Sequence, residues 1–478
     1  MQDSRSAVPS GHGLRRDLGR LQSYAALIGI LVGAGIYKVT TNAYELTGPS
    51  VVLGYLLLAP VVLAAAIPYA AFQSTPLARS PGGDYAHIRA VFGSGSLAFL
   101  AGWLKLISYL GALAFLSGAM ADYLLEALRM VGVLGEAADS ESAKTLRLVI
   151  ASAGLIGFWA IHSAGVRWFG RVQLGMCVLL GVSIVVLVVP GVFALELENL
   201  TPMFAGETPV AGFLEALPIL FFAYAGFEAI AHSAAEVKDA ERELPRVYLR
   251  GVVLTSMIFV SMSLVAVGVL SREEVLASEA QMADAAQIFL PGFAAVVVTL
   301  GGVMATATSV NATMAVPARL AITLGQERRL PSFLSWVHAG TGTPILGLTV
   351  ALVISMALLW CDQVAFALNI AVLALLCVYL LHSVAFLCLG RRNPEVASQV
   401  AMGISSGLQR TSAWIAVVCM GALITTMVVN DVSTLGGTNL SERYDEGGLT
   451  AIELFVPWSV LGLVLFWIST TSDRRTDR

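Results

Sequence analysis

The chain has 478 residues, of which 57% are hydrophobic and only 13% charged, with a formal net charge of −4. A soluble domain carries about 25% charged residues, so a chain this long at half that level has too little polar surface to stay in water. Its mean hydropathy of +0.79 makes a bilayer the natural solvent, and the scattered basic residues leave no footprint for nucleic acid.

The polar, basic stretch 1–20 has no short apolar core ending in a cleavage site and reads as a cytoplasmic tail. A hydrocarbon core needs roughly 20 apolar residues per helix. Twelve such stretches follow, at about 21–43, 51–75, 97–128, 147–162, 171–191, 211–234, 250–270, 286–318, 345–361, 364–389, 412–430 and 451–470, with a short tail at 471–478. With the N-terminus inside, 21 Lys and Arg fall on the cytoplasmic side. Only Arg129, Lys144, Arg147, Arg272 and Arg443 fall on the other, while Lys38 and Lys105 lie within spans. That excess places both termini in the cytoplasm and the chain in the cytoplasmic membrane. Cys177, Cys361, Cys377, Cys388 and Cys419 form no CxxC pair and read as small buried hydrophobes.

Two spans have interrupted centres at matching places. The first contains Gly29-Ile30-Leu31-Val32-Gly33-Ala34-Gly35-Ile36, the sixth Phe222-Ala223-Tyr224-Ala225-Gly226-Phe227-Glu228. They open two successive five-span sets, at 21–191 and 211–389, and an odd offset inverts the second set in the membrane; 412–470 then holds two accessory spans. Paired broken helices mark the central site of a transporter. Unwinding frees backbone groups that must meet protein, water or ligand. The half-helix starting near Gly35 offers N–H groups and a positive dipole end to a carboxylate, while the free carbonyls of the facing halves suit an ammonium group. A zwitterion matches both. The competing reading, that these glycines serve only close helix packing, explains one interrupted span better than two equivalent ones.

At these residues the chain resembles the amino acid–polyamine–organocation superfamily of permeases. Gly33-Ala34-Gly35-Ile36 is similar to that family's span-1 break, and Arg79 to Tyr85 to its segment after span 2. Phe221 to Glu228 followed by Glu236 to Arg246 resembles its span-6 signature, and Pro317 to Pro344 its passage from span 8 to span 9. The resemblance implies an all-α polytopic membrane protein of leucine-transporter type, with a 5+5 inverted repeat, two accessory helices and alternating access. The substrate would lie between spans 1, 3, 6, 8 and 10. Its carboxylate would meet the backbone of Gly33, Ala34, Gly35 and Ile36, and its amino group the carbonyls of Phe222, Ala223, Tyr224 and Ala225 beside Gly226; Tyr109 and Tyr224 would wall the side-chain pocket. Many members place a lysine in span 5 in lieu of sodium. Here that position falls near Leu180, and the span holds no lysine, while a span-8 hydroxyl remains as Thr308 or Ser309. The resemblance therefore leaves a sodium ion near Thr308 and Ser309, a proton, or exchange without a coupling ion.

Other polar groups in the spans are weighed on cost, since a charge within the membrane is expensive and functional by default. Glu228 follows the span-6 break as a proton carrier or a structural anchor. Lys105, about eight residues into span 3, calls for a partner or a water-filled cavity and is a candidate for ion coupling. Lys38 holds an anionic group or a coupling ion's place, or else pairs with Glu45 or snorkels into an outer vestibule. His232 reads as packed or hydrogen-bonded rather than as a proton relay, Asp122 and Glu126 as solvated, and 236–250 as a solvated charged helix whose ion pairs rearrange in transport.

These features point to secondary transport of an amino acid or related amine, by symport or exchange, in a monomer or weak homo-oligomer within the lipid bilayer and without a cofactor. A transporter-like receptor that binds without moving its solute is the alternative. No metalloprotease, serine-hydrolase or nucleotide-binding motif lies at a suitable place, so no enzyme is expected.

Overall fold

In the computed structural model the described residues are 13–33, 35–93, 95–133, 140–205, 208–278, 280–361, 364–437 and 450–476. They are almost entirely helical. Span 1 is α1 (Arg20–Leu31) and α2 (Thr40–Thr47), joined through a wide turn at Gly35–Val39. Then come α3 (Val51–Gln73, span 2), the short α4 (Asp84–Phe92), α5 (Ser96–Met130, span 3), α6 (Ser140–Ser163, span 4) and α7 (Val166–Gly191, span 5). Span 6 is split into α8 (Pro209–Tyr224) and α9 (Ala229–His232). The chain continues through α10 (Ala240–Val269, span 7), the short α11 (Arg272–Ala277) and α12 (Gln281–Phe289), then α13 (Gly292–Gln326, span 8) and α14 (Ile345–Trp360, span 9). It ends with α15 (Val364–Arg392, span 10), α16 (Pro394–Ser398), α17 (Ser406–Gly437, span 11) and α18 (Ala451–Thr476, span 12).

Eleven of these stretches are long and apolar enough to cross a membrane, and α14 is a shorter apolar helix of 16 residues. Val178, Leu179, Val182, Val185 and Val189 on α7 are each more than half exposed, a stripe that lipid rather than water must cover. Span 8 differs from its expected start at 286. Pro291 lacks an N–H and caps α13, so 281–289 forms a separate amphipathic helix instead of the span's first turns.

The arrangement is pseudo-symmetric. Equivalent spans of the two halves pack on each other: α3 against α10, and α5 against α13. Both α5 and α13 run for 35 residues, and each is preceded by a nine-residue helix, α4 or α12. The broken spans lie between these pairs. Buried side chains of α1, α5, α8, α10 and α13 form one continuous core around the breaks.

Candidate functional site

The two breaks meet. Span 1 leaves its helix at Val32, and Gly33 N–H turns back to Leu31 O at 2.9 Å before the chain rewinds at Gly35. Span 6 leaves its helix at Ala225, which is extended (φ −68°, ψ 144°), and Gly226 follows at φ 104°, a left-handed conformation that glycine adopts without a Cβ clash. Gly35 lies directly on the backbone of Ala223, so a methyl there would overlap the Ala223 Cα, while a methyl on Gly33 would overlap the Ser309 hydroxyl. Small residues let the two interrupted backbones touch.

A narrow cavity sits at this crossing. Gly35, Tyr109, Phe222, Ala223, Ala225, Gly226 and Ser309 line it, together with Ser108, Thr313 and Leu375. Of the residues expected around a substrate, Gly33 and Ile36 do not line it, and Ala34 lies outside the described residues. Tyr224 corrects the expected pocket wall: its hydroxyl donates to Tyr55 O at 3.0 Å, and its ring packs on Tyr55 and Phe259, away from the cavity. Phe222 also lines a second cavity with Leu46, Glu215 and Asp431, so its ring, edge-on to Phe115 at 5.8 Å, separates the two.

On the other side the closure is deeper and charged. Lys105 Nζ donates to Glu228 Oε1 at 2.5 Å and pairs with Asp84 Oδ2 at 2.8 Å, all three side chains being at most 1% exposed. Glu228 Oε1 also accepts from the Tyr109 hydroxyl at 2.7 Å. Its Oε2 accepts from Gly226 N–H at 3.1 Å and from the Tyr379 hydroxyl. One carboxylate thus satisfies the N–H that unwinding exposes and ties it to spans 3 and 10. Beyond this cluster, Arg319 pairs with buried Glu236 at 2.5 Å. Leu18 bonds Glu236 O and Lys238 N across a short parallel bridge.

The remaining ion candidates separate. Ser309 Oγ donates to Gly29 O at 3.0 Å and Ile30 O at 3.2 Å, and Thr308 Oγ1 to Ala305 O at 2.7 Å, leaving a knot of uncharged oxygens between spans 1 and 8. Leu180 is buried, and a polar group that span 5 supplies to this region is Gln173, which sequence reasoning missed. Its amide donates to Ala25 O and Thr308 O, each at 3.2 Å, and accepts from Asn311 at 2.7 Å. The side chain of Lys38 lies outside the described residues, and Glu45 is exposed. Asp122, expected to be solvated, instead holds Arg147 at 2.5 Å. Asp84 and Tyr379 were also missed, one in a loop-like Gly-Gly-Asp-Tyr segment and the other in an unbroken apolar run.

A multi-pass helical bundle with two helices broken at one small, backbone-lined cavity belongs to the class of membrane proteins that bind a small solute at mid-depth. The family is specific: a model described as amino acid permease matches residues 18–440, and the chain belongs to that family. It is 23% identical to the branched-chain amino acid permease BcaP of Bacillus subtilis (strain 168), over 83% of this chain and 85% of that one. It is 26% identical to the large neutral amino acids transporter small subunit 2 of Mus musculus, over 71% and 64%. Among solved structures it is similar in fold to MhsT in complex with L-phenylalanine, with a TM-score of 0.64, 16% identity, and coverage of 85% of this chain and 98% of that one. The fold is therefore the leucine-transporter type.

Proposed function

We propose that this permease is a secondary active transporter of amino acids across the cytoplasmic membrane, working by alternating access around the cavity at the crossed breaks. One observation carries this reading: the cavity is lined by the backbone of both interrupted helices, with Gly35 and Gly226 facing it. An α-carboxylate fits the helix start at Gly35, and an α-amino group the carbonyl side near Phe222 to Ala225. The small lining residues Ser108, Ala112 and Thr313 and the apolar Leu116 and Leu375 suit an uncharged side chain.

The barriers are unequal. A single ring, Phe222, stands between the cavity and the outer one, whereas the buried ion pairs and the Leu18 bridge close the side bearing the N-terminus. In our reading this is a state closed to the cytoplasm, and transport requires the charged ties to part. The oxygens around Thr308 and Ser309 offer a place for sodium, but Gln173 directs amide N–H groups at that region, which disfavours a cation. We therefore read the coupling ion as a proton.

The test is uptake of each labelled L-amino acid into proteoliposomes, with sodium and proton gradients imposed separately. Concentrative uptake of a neutral amino acid driven by the proton gradient is expected. Saturable binding without uptake would replace this reading with a receptor, and uptake driven by sodium alone would return the ion to Thr308 and Ser309.

A further inference from the structure

The cluster beneath the cavity carries an unbalanced charge. One ammonium, Lys105, faces two carboxylates, Asp84 and Glu228, in a region from which bulk water is excluded. Counted with neutral histidines, the cluster is one charge negative. Low-dielectric surroundings penalise such an excess, and the usual remedy is a bound proton.

The hydrogen bonds indicate where that proton goes. Glu228 accepts from Lys105, Tyr109, Tyr379 and Gly226 N–H, so both its oxygens already face donors. A proton there would set donor against donor. Lys105 lies between two carboxylates and remains an ammonium, while Asp84 Oδ1, like His232 Nδ1, has no hydrogen-bond partner among the described residues, so the proton belongs to the Asp84–His232 pair. His232 differs: its Nε2 faces Asp84 Oδ2 at 3.4 Å, and its Nδ1 has no hydrogen-bond partner among the described residues. In the neutral ring the hydrogen sits on Nε2, toward the carboxylate, and Nδ1 keeps a bare lone pair. Protonation at Nδ1 makes an imidazolium beside Asp84 and brings the cluster to neutrality.

The other titratable groups around this pair are accounted for. On α4, His87 uses both ring nitrogens, toward Gln73 at 3.1 Å and toward His382 of α15 at 3.0 Å. His382, whose Nδ1 is also without a partner, is stacked on Tyr69 of α3 and has no carboxylate contact among the described residues, while the Tyr69 hydroxyl faces Asp84. Tyr248 of α10 packs on Tyr69 and Phe227, and Tyr379 and Tyr109 face Glu228. Of the three imidazoles, His232 is the one in contact with a carboxylate.

We propose that the Asp84–His232 pair is the proton-binding site of this permease, rather than Glu228, and that Lys105 governs its occupancy. This rests on the transport reading above for its role, though not for its location. Asp84 rides on α4, Lys105 on α5, and Glu228 and His232 on the broken sixth span, so three bodies are fastened at one ammonium. Glu228 grips the break through Gly226, and Tyr109 lines the cavity, so any movement that opens the cavity toward the N-terminal side shifts Lys105 relative to Asp84. With the N-terminal side closed, a proton arriving from the opposite side forms the N–H bond at His232 Nδ1 and neutralises the cluster. When that side opens and Lys105 shifts, water reaches the pair, the N–H bond breaks and the proton goes to that water, so it moves in the same direction as the amino acid.

The location is tested without transport, by ¹⁵N NMR of histidine-labelled full-length protein in nanodiscs, with signals assigned by His232→Gln and His382→Gln. The His232 ring should pass between neutral and protonated forms between pH 5 and 9. At one fixed pH its protonated fraction should fall in Asp84→Asn and rise in Lys105→Gln. If both variants fail to fold, the wild-type titration decides. A ring that stays in one form across the range, or a titrating signal assigned to His382, overturns the proposal, as does a proton found by infrared difference spectroscopy on Glu228. The role is tested with pyranine-loaded proteoliposomes given a mixture of L-amino acids. Internal acidification should accompany labelled uptake, with at least a tenfold loss in His232→Gln. Uptake with equal acidification in that variant overturns the role. No uptake by wild type would overturn the transport reading and leave the NMR result standing.

Discussion

Glu228 shows how much one side chain settles at the residue scale. It follows the break, and its carboxylate satisfies the Gly226 N–H that the break exposes. Removing the Tyr379 hydroxyl deletes a charge-assisted bond at a buried acceptor, so Tyr379→Phe should destabilise the protein by about 1.5–3 kcal/mol, read as a lowered unfolding midpoint in detergent. Lys105→Met should cost more, on the order of 3–5 kcal/mol, because two buried carboxylates lose their cation; adding Asp84→Asn should recover part of that loss. A Lys105→Met protein as stable as wild type would refute the assignment of this cluster as a buried ion triad. Lys105 and Glu228 were legible in the sequence because a charge in an apolar run stands out. Asp84 was not, since burial of a loop aspartate depends on how the chain folds back. Tyr224 was misplaced for a related reason. It is the last helical residue of α8, where the facing of a side chain can no longer be extrapolated from the helix that follows.

At the scale of elements, the contact between the two breaks is the most demanding feature. Gly35 meets the Ala223 backbone itself, which cannot yield as a flexible side chain would. Gly35→Ala should therefore push spans 1 and 6 apart and reduce amino acid affinity at least tenfold, measured by scintillation proximity binding. Gly35→Leu should abolish binding, by separating the breaks as well as by filling the cavity. Unchanged affinity in either variant would remove the crossing as the binding locus. Both breaks were readable from glycine spacing, because few residues other than glycine permit such approach. The extent of span 8 was less so: hydropathy runs unbroken through 286–318, and only Pro291 marks where α12 stops and α13 starts. Gln173 was hidden because an amide within an apolar span registers weakly in composition, yet in space it bridges three helices.

For the whole molecule, the symmetry of the fold and the asymmetry of its closure lead to the last prediction. The paired spans α3 with α10 and α5 with α13 were foreshadowed by the five-span offset of the two breaks, but which side stands closed depends on long-range ties that no periodicity records. On the N-terminal side these ties include Arg20–Glu243 at 3.1 Å, Arg79–Glu241 at 2.5 Å and the buried Arg319–Glu236 pair. The Leu18 bridge to Val237 fastens the segment before α1 to the segment after α9. Leu18 N–H reaches Glu236 O at 3.0 Å and Lys238 N–H reaches Leu18 O at 2.9 Å, so Leu18 and Val237 lie opposite each other. Neighbouring strands are about 4.8 Å apart, which is within the Cα separation a disulfide spans. In a background with the five native cysteines replaced, Leu18→Cys with Val237→Cys should cross-link under oxidation, abolish amino acid uptake into proteoliposomes, and regain it on reduction. Binding from the opposite side should survive in the oxidised protein, because Phe222 and the outer cavity are untouched. If the oxidised protein transports at the reduced rate, these segments do not separate during the cycle, and the pathway must leave the cavity elsewhere.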